Sequence, residues 1–204
     1  MKFITFEGGE GSGKTTIIKM LVDEIKAKGI DVLVSREPGG SKISEEIRNV
    51  ILNVNNKNMD YMTEALLYAA ARRQHLKEIV WPGVDSGKLV ICDRYLDSSL
   101  VYQGCARGLG IEKVYELNMN ATDGYLPDLT LYLDVTPDVG LGRIRDNNRD
   151  VNRLDLEKKA FHEEVRNGYL KLCEMFPERI VKINAMGSIE EVYEEVRKAV
   201  FSRM

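Results

Sequence analysis

A chain of 204 residues with 29 Lys and Arg against 32 Asp and Glu is the size of one domain, or of one domain with a small insertion, and can bury a sizeable core. The formal net charge of -3 leaves no overall basic field to recruit a nucleic acid or an anionic membrane, so any anion must be met locally. No apolar run approaches bilayer-spanning length, Met1-Lys2 leads straight into a strand without a signal-peptide pattern, and Cys92, Cys105 and Cys173 lack C-x-x-C spacing. A soluble cytoplasmic protein with reduced thiols and no disulfide framework is expected.

In chain order, the apolar run Phe3-Ile4-Thr5-Phe6 reads as a strand, and Gly8-Gly9-Glu10-Gly11-Ser12-Gly13-Lys14-Thr15-Thr16 follows it at once. This stretch fits G-x-x-x-x-G-K-[ST] in the strand-to-helix context that a P-loop needs. Its glycines let backbone N–H groups turn inward around phosphates, Lys14 adds a mobile charge, and the Thr15 hydroxyl can hold Mg²⁺. A nucleoside triphosphate is the expected ligand. The next helix carries Ile17, Leu21, Val22 and Ile25 on one face and stops at Lys28-Gly29. A strand follows over Val32 to Ser35, then a polar loop over Asn53 to Asn58. Ala65, Leu66, Ala69, Ala70 and Leu76 mark a long helix that Trp81-Pro82-Gly83 bends or ends. Leu89 to Cys92 and Leu129 to Leu133 are strands, the second leading to a helix opened by Thr136-Pro137. An arginine-rich polar segment from Asp146 to Arg153 precedes a helix from about Leu156 to Cys173. Strand Ile180 to Ile183 and a helix opened by the capping box Ser188-x-x-Glu191 complete the chain. Strands alternating with helices imply an α/β fold, a mostly parallel sheet covered on both faces, with ligands at the carboxyl ends of the strands.

Those ends carry the unusual residues. Glu10 is a carboxylate among phosphate-collecting groups, suited to accepting a hydrogen bond from a second substrate, such as a sugar hydroxyl, or to helping hold Mg²⁺. Arg36-Glu37 immediately precede the turn Pro38-Gly39-Gly40, and turn chemistry does not account for them. In Asp93-Arg94 the carboxylate can serve Mg²⁺ or the attacking group, and the guanidinium can grip a phosphate. His75 and His162 have no motif around them and read as surface or helix-face residues.

The P-loop, Arg36-Glu37-Pro38-Gly39-Gly40, Ala70-Ala71-Arg72, Asp93-Arg94-Tyr95 and Ser98-Ser99-x-x-Tyr102-Gln103-Gly104 together resemble the thymidylate kinases, over essentially the whole chain. The resemblance implies the P-loop nucleoside monophosphate kinase fold, with a five-stranded parallel sheet, a single domain spanning 1–204 and a LID at about 143–155. It also implies a homodimer that transfers the γ-phosphoryl group of ATP to dTMP with Mg²⁺.

Position by position, the resemblance gives Gly8, Gly9, Gly11, Ser12, Gly13, Lys14, Thr15 and Thr16 to the triphosphate and Glu10 to the deoxyribose 3′-hydroxyl. It gives Tyr68 to stacking on thymine and Arg72 to the carbonyl that separates thymine from cytosine. Ser98, Ser99 and Gln103 resemble further base-edge contacts, and Tyr102 the ring that crowds the sugar 2′ position. Arg36, Arg48 and Arg94 are implied for the dTMP phosphate, with Asp93 and Glu37, beside Thr15, arranging Mg²⁺ and the acceptor. One branch of the family carries an arginine where this chain has Gly11, so positive charge is expected from the LID. Arg149 and Arg153 come first for catalysis, with Arg143 and Asn184 toward adenine. Asn152 stands where the family pattern has Asp, which leaves the anchoring of the LID unaccounted for.

Another nucleoside monophosphate kinase, or a kinase for a free deoxynucleoside, would share the P-loop. Arg72 with Tyr68 favours thymine, and Arg36 with Arg94 favours an acceptor already carrying phosphate. A GTP-hydrolysing switch should carry an N-K-x-D type sequence, which is absent. A non-catalytic scaffold would have lost Lys14, Asp93 or the LID arginines.

Overall fold

The structure is a computed structural model and describes residues 1–146, 153, 154 and 157–204. Five strands, β1 (Phe3–Glu7), β2 (Val32–Arg36), β3 (Leu89–Asp93), β4 (Leu129–Asp134) and β5 (Ile180–Asn184), form one parallel sheet in the order β2-β3-β1-β4-β5. From β1 the chain builds outward to one side and then to the other. The crevice at this switch of direction, above the carboxyl end of β1, is where such sheets take ligands.

Strand periodicity decides what each face buries. Ile4 and Phe6 of β1, Leu89 and Ile91 of β3, and Leu129, Leu131 and Leu133 of β4 point to one face. There they pack on α1 (Lys14–Ala27) and α9 (Ile189–Phe201). Phe3, Val90, Cys92 and Tyr132 point the other way, against Tyr95, Leu96, Leu100, Tyr169 and Leu172. The alternation also sends Thr5, Glu7 and Thr130 into that second face. Each is buried and hydrogen-bonded there, as buried polar groups must be.

The helix from Tyr61 does not end at Trp81-Pro82. It runs as α3 (Tyr61–His75), passes through a widened π turn at Leu76–Val80 and continues as α4 (Trp81–Asp85). Pro82 directly follows the π turn, where the shifted hydrogen-bond register accommodates a residue without an N–H. Of the residues that mark this helix, Ala65, Ala69 and Leu76 are buried, while Leu66 and Ala70 lie exposed. Three further helices lie among these elements: α2 (Lys42–Leu52), α5 (Leu96–Ser99), which widens into a π segment at Leu100–Ala106, and α6 (Ile111–Thr122). After β4 come α7 (Pro137–Asp146) and α8 (Lys159–Met175). The capping box is present: Ser188 Oγ accepts from Glu191 N at 3.2 Å and Glu191 Oε2 accepts from Ser188 N at 2.8 Å, an arrangement worth about 1 kcal/mol to α9.

Candidate active site

The carboxyl ends of the strands open into one cavity of about 540 Å³. Its first wall is the P-loop between β1 and α1. Gly13 takes φ 90° as the N-cap of α1, and the first turn of α1 holds no acidic residue to oppose an anion. Thr15 and Thr16 are exposed to the cavity. Lys14 is folded back on the loop, where Nζ donates to Gly8 O (3.1 Å), Gly9 O (3.3 Å) and Ser12 Oγ (3.2 Å). Burial, and then the charge of Arg94, push its ammonium down to about 8, against the opposing pull of Asp93, Glu10 and Glu7.

On the β5 side, Arg143 of α7 donates to Gly11 O and to Ala185 O, each at 3.3 Å. Ala185 borders the cavity. Asn184, expected there, is exposed instead, and its Oδ1 accepts from Met186 N at 3.1 Å. Its short amide closes its own turn rather than reaching the ligand space.

The opposite wall is α3, which presents Tyr68 and Arg72 one turn apart, with Glu64 a turn earlier behind them, all buried. Arg72 donates through Nε to Glu37 Oε2 (2.7 Å), through Nη1 to Ser99 Oγ (3.1 Å) and Asn118 Oδ1, and through Nη2 to Tyr95 O (3.0 Å). Four of its five N–H groups are thereby held by the protein, and one remains for a ligand. Tyr68 lines the cavity, and its hydroxyl has no hydrogen-bond partner among the described residues. Burial and the charge of Glu64 push that hydroxyl well above its ordinary range.

Glu37, expected to help arrange a metal, is committed on both oxygens. Oε2 takes Arg72, and Oε1 takes His75 Nδ1 at 2.8 Å, with His75 Nε2 at 2.6 Å from Ser35 Oγ. A carboxylate so engaged orients Arg72, and it keeps a lone pair on each oxygen at the border of the cavity. His75 is therefore no surface residue: it is completely buried in this chain of bonds.

Arg94 sits at φ 71°, a left-handed conformation costly for a side chain of this size and common at functional edges. Its guanidinium reaches Glu10 Oε1 (3.2 Å), Ser98 Oγ (3.2 Å) and Tyr169 OH (3.4 Å). Tyr102 OH also donates to Glu10 Oε1, at 2.7 Å, and His162 Nδ1 lies 3.5 Å from Glu10 Oε2. Burial alone would raise the Glu10 carboxyl. The His162 imidazole close to Oε2, the charge of Arg94, the hydrogen bond from Tyr102 and the charge of Lys14 outweigh it and hold the group well below the carboxylate range. His162 is thus a buried member of the site and not a surface residue.

Arg36 pairs with Glu45 at 2.8 Å, and Arg48 donates to Pro38 O at 2.7 Å; both border the cavity. Beside them Asp93 Oδ1 is buried without a hydrogen-bond partner among the described residues. Ser98 and Ser99 also border the cavity, but their hydroxyls are engaged with Glu7 and Arg72 respectively.

Glu7, the last residue of β1, belongs to no motif in the sequence. It accepts from Tyr95 N (2.7 Å) and Ser98 N (3.2 Å) on one oxygen and from Ser98 Oγ (2.6 Å) and Tyr169 OH (2.7 Å) on the other. It thereby fixes the turn that carries Arg94. Burial and Asp97 push its carboxyl up to about 7, against Arg94 and these hydrogen bonds.

Arg153 is not brought to the P-loop. Its Nε donates to Ile51 O at 2.9 Å and its Nη2 to Glu64 Oε2, because Glu64 is a completely buried carboxylate that needs cations close by. Arg149 and Asn152 lie outside the described residues, as does the side chain of Arg145.

A family model described as thymidylate kinase matches residues 6–196. Among curated proteins, the chain is 60% identical over 196 residues to a thymidylate kinase of Clostridium novyi, covering 96% of each chain. It is 55% identical to one of Anoxybacillus flavithermus, covering 95% of this chain and 93% of the relative. The crystal structure of thymidylate kinase from Ehrlichia chaffeensis superposes with a TM-score of 0.78 at 32% identity, covering 98% of both chains.

Proposed function

The chain belongs to the thymidylate kinase family, and from that premise we propose how its residues transfer the γ-phosphoryl group of ATP to dTMP to give dTDP and ADP. The observation that carries the proposal is a single cavity with a phosphate-binding loop on one wall and, on the other, Tyr68 beside an arginine with one N–H unspent.

ATP binds with its phosphates over Gly8 to Thr16. The backbone donors and the α1 dipole meet the charge, and Lys14 leaves the Gly8 and Gly9 carbonyls for the phosphate oxygens. Arg143 lies against the adenosine end, beside Ala185. dTMP enters from the α3 side. Tyr68 stacks on its ring, Arg72 donates to a ring carbonyl, and Gln103 meets the neighbouring edge. Arg36, Arg48 and Arg94 gather its phosphate. Glu10, held ionised, accepts from the 3′-hydroxyl, while the ring of Tyr102 stands where a 2′-hydroxyl would be. Such a site holds donor and acceptor in line and meets charge spread over the transferred oxygens, which is most of what phosphoryl transfer requires.

A divalent cation fits Thr15 and the orphaned Asp93 Oδ1. No group of three or more His, Cys, Asp or Glu able to hold a metal is found among the described residues. Mg²⁺ suits such a site, since it keeps waters and takes substrate phosphates as ligands. When bound, it neutralises phosphate charge. Glu37, which also borders the cavity, completes the set as the group that arranges the cation and the acceptor while it orients Arg72.

We also propose that residues 1–204 form one kinase domain with its LID at about 143–155, acting as a cytoplasmic homodimer. No helix among the described residues is long and apolar enough to cross a membrane. Exposed Ile43 and Val50 on α2 and Leu66 on α3 support a second copy as their cover. Sedimentation at a mass near 23 kDa would remove the dimer.

The test of function is ADP release with ATP and Mg²⁺, offering dTMP, dUMP, dCMP, AMP and thymidine in parallel. dTMP is expected first and dUMP weaker, with the others near background. Highest activity on AMP or on thymidine would overturn the residue assignments.

A further inference from the structure

Gln103 borders the cavity from the widened helical segment Leu100–Ala106, and its amide can present either a donor or an acceptor. Arg72 has no such choice, since a guanidinium only donates. Something must fix which end of the amide faces the ligand.

Glu64 does so from behind the wall. It is completely buried and is not among the residues lining the cavity. Its Oε1 accepts from Gln103 Nε2 at 2.8 Å and from Arg107 Nε at 3.3 Å, and its Oε2 from Arg153 Nη2. Both of its oxygens take N–H donors, so Glu64 meets Gln103 as an acceptor. The amide nitrogen of Gln103 is therefore drawn to Glu64, and nothing among the described residues donates to its Oε1.

We propose that Glu64 is a positioning residue for substrate choice, locking Gln103 so that its amide oxygen is offered to the acceptor base as a hydrogen-bond acceptor. This rests on the dTMP-kinase reading of the cavity and adds a polarity to it. An acceptor at Gln103 beside a donor at Arg72 matches the N3–H and carbonyl of an imide edge, as in thymine. Cytosine presents a lone pair at N3 and an amine next to it, so both contacts become repulsive. Such mismatches discriminate far better than a missing methyl does.

The test compares wild type with Glu64→Gln on dTMP and dCMP. The substituted amide can face Gln103 with either end, so the lock is lost. The dTMP-over-dCMP ratio of kcat/KM should fall by about tenfold or more, chiefly through KM for dTMP. Equal loss on both substrates, with the ratio unchanged, would reduce Glu64 to a structural part and overturn the proposal. If the variant does not fold by circular dichroism, wild type decides alone. dTMP methylated at N3 should bind about a hundredfold more weakly than dTMP, and equal affinity would overturn the proposal. Wild type inactive on dTMP would instead sink the underlying reading, so the two failures are distinct.

Discussion

Gly11 of the P-loop and Gly140 of α7 meet backbone against backbone: a Cβ on Gly11 would stand 2.0 Å from Gly140 O, and one on Gly140 would stand 2.2 Å from Glu10 O. This contact lets α7 rest on the loop and brings Arg143 within reach of Gly11 O. An arginine at position 11 would have to push the two elements apart, so the site cannot take its positive charge from there without moving α7. Gly140→Ala should therefore weaken ATP binding by about 1–3 kcal/mol, a typical overpacking cost, while the dTMP Kd holds within about twofold. Calorimetric titration with each nucleotide checks this; an unaltered ATP affinity would mean that the contact does not support the loop.

Lys14 predicts a proton linkage. With its ammonium pushed down to about 8 by burial and by Arg94, the free protein loses this charge as pH rises through 8. Bound phosphates draw the group back toward its ordinary range. Triphosphate affinity should then be flat below pH 8 and fall above it, by up to about tenfold per pH unit, as the bound state holds a proton that the free state lacks. Titrations in buffers of different ionisation enthalpy should give about 0.9 proton taken up per site at pH 9 and about 0.1 at pH 7. No uptake at pH 9 would show that Lys14 stays protonated in the free protein.

What the sequence made legible follows from range. β1, the P-loop and α1 are contiguous, and their period-two strand, glycine spacing and 3.6-residue stripe are local signals. α2 also carries a helical stripe, Ile43, Ile47, Val50 and Ile51, but the structure turns Ile43 and Val50 outward and buries Ser44 and Ile51, so the stripe marks the helix without naming its core face. The site's inner support escaped because its partners are distant in sequence. Arg72 meets Glu37 and Asn118 at separations of 35 and 46 residues, and Glu7 meets Tyr169 across 162. The burial of His75 is hidden from the sequence for the same reason. Nothing near it in sequence names Glu37 or Ser35 as a neighbour, and only the sheet brings them together.

Arg153 shows the same limit and gives a third prediction. A run of arginines suggests a solvated or phosphate-facing segment, yet this one is 7% exposed and paired with Glu64, 89 residues earlier. Arg153→Ala removes one of the two cations that compensate a completely buried carboxylate. Breaking such a pair from one side costs about 3 kcal/mol or more, though Arg107 at 3.3 Å should recover part of it. Urea unfolding at constant m should therefore move to lower midpoint. A midpoint within error of wild type, with turnover collapsed, would return Arg153 to the phosphates.

Tyr68 gives the fourth. Its ring lines the cavity, but its hydroxyl meets no partner among the described residues, and burial holds it far from ionising. A hydroxyl that faces the cavity and makes no hydrogen bond to the protein takes none away when it is removed, whereas the stacking surface belongs to the ring alone. Tyr68→Phe should accordingly leave kcat/KM for dTMP within about twofold and leave thermal stability equal or slightly higher, because the ring is retained and only the oxygen is lost. Tyr68→Leu keeps an apolar side chain but removes the flat face, and should raise KM for dTMP by about tenfold through the stacking term. Steady-state kinetics on the two variants separates ring from hydroxyl. A tenfold loss already in Tyr68→Phe would place the oxygen in contact with the substrate and move the stacking surface elsewhere in the cavity.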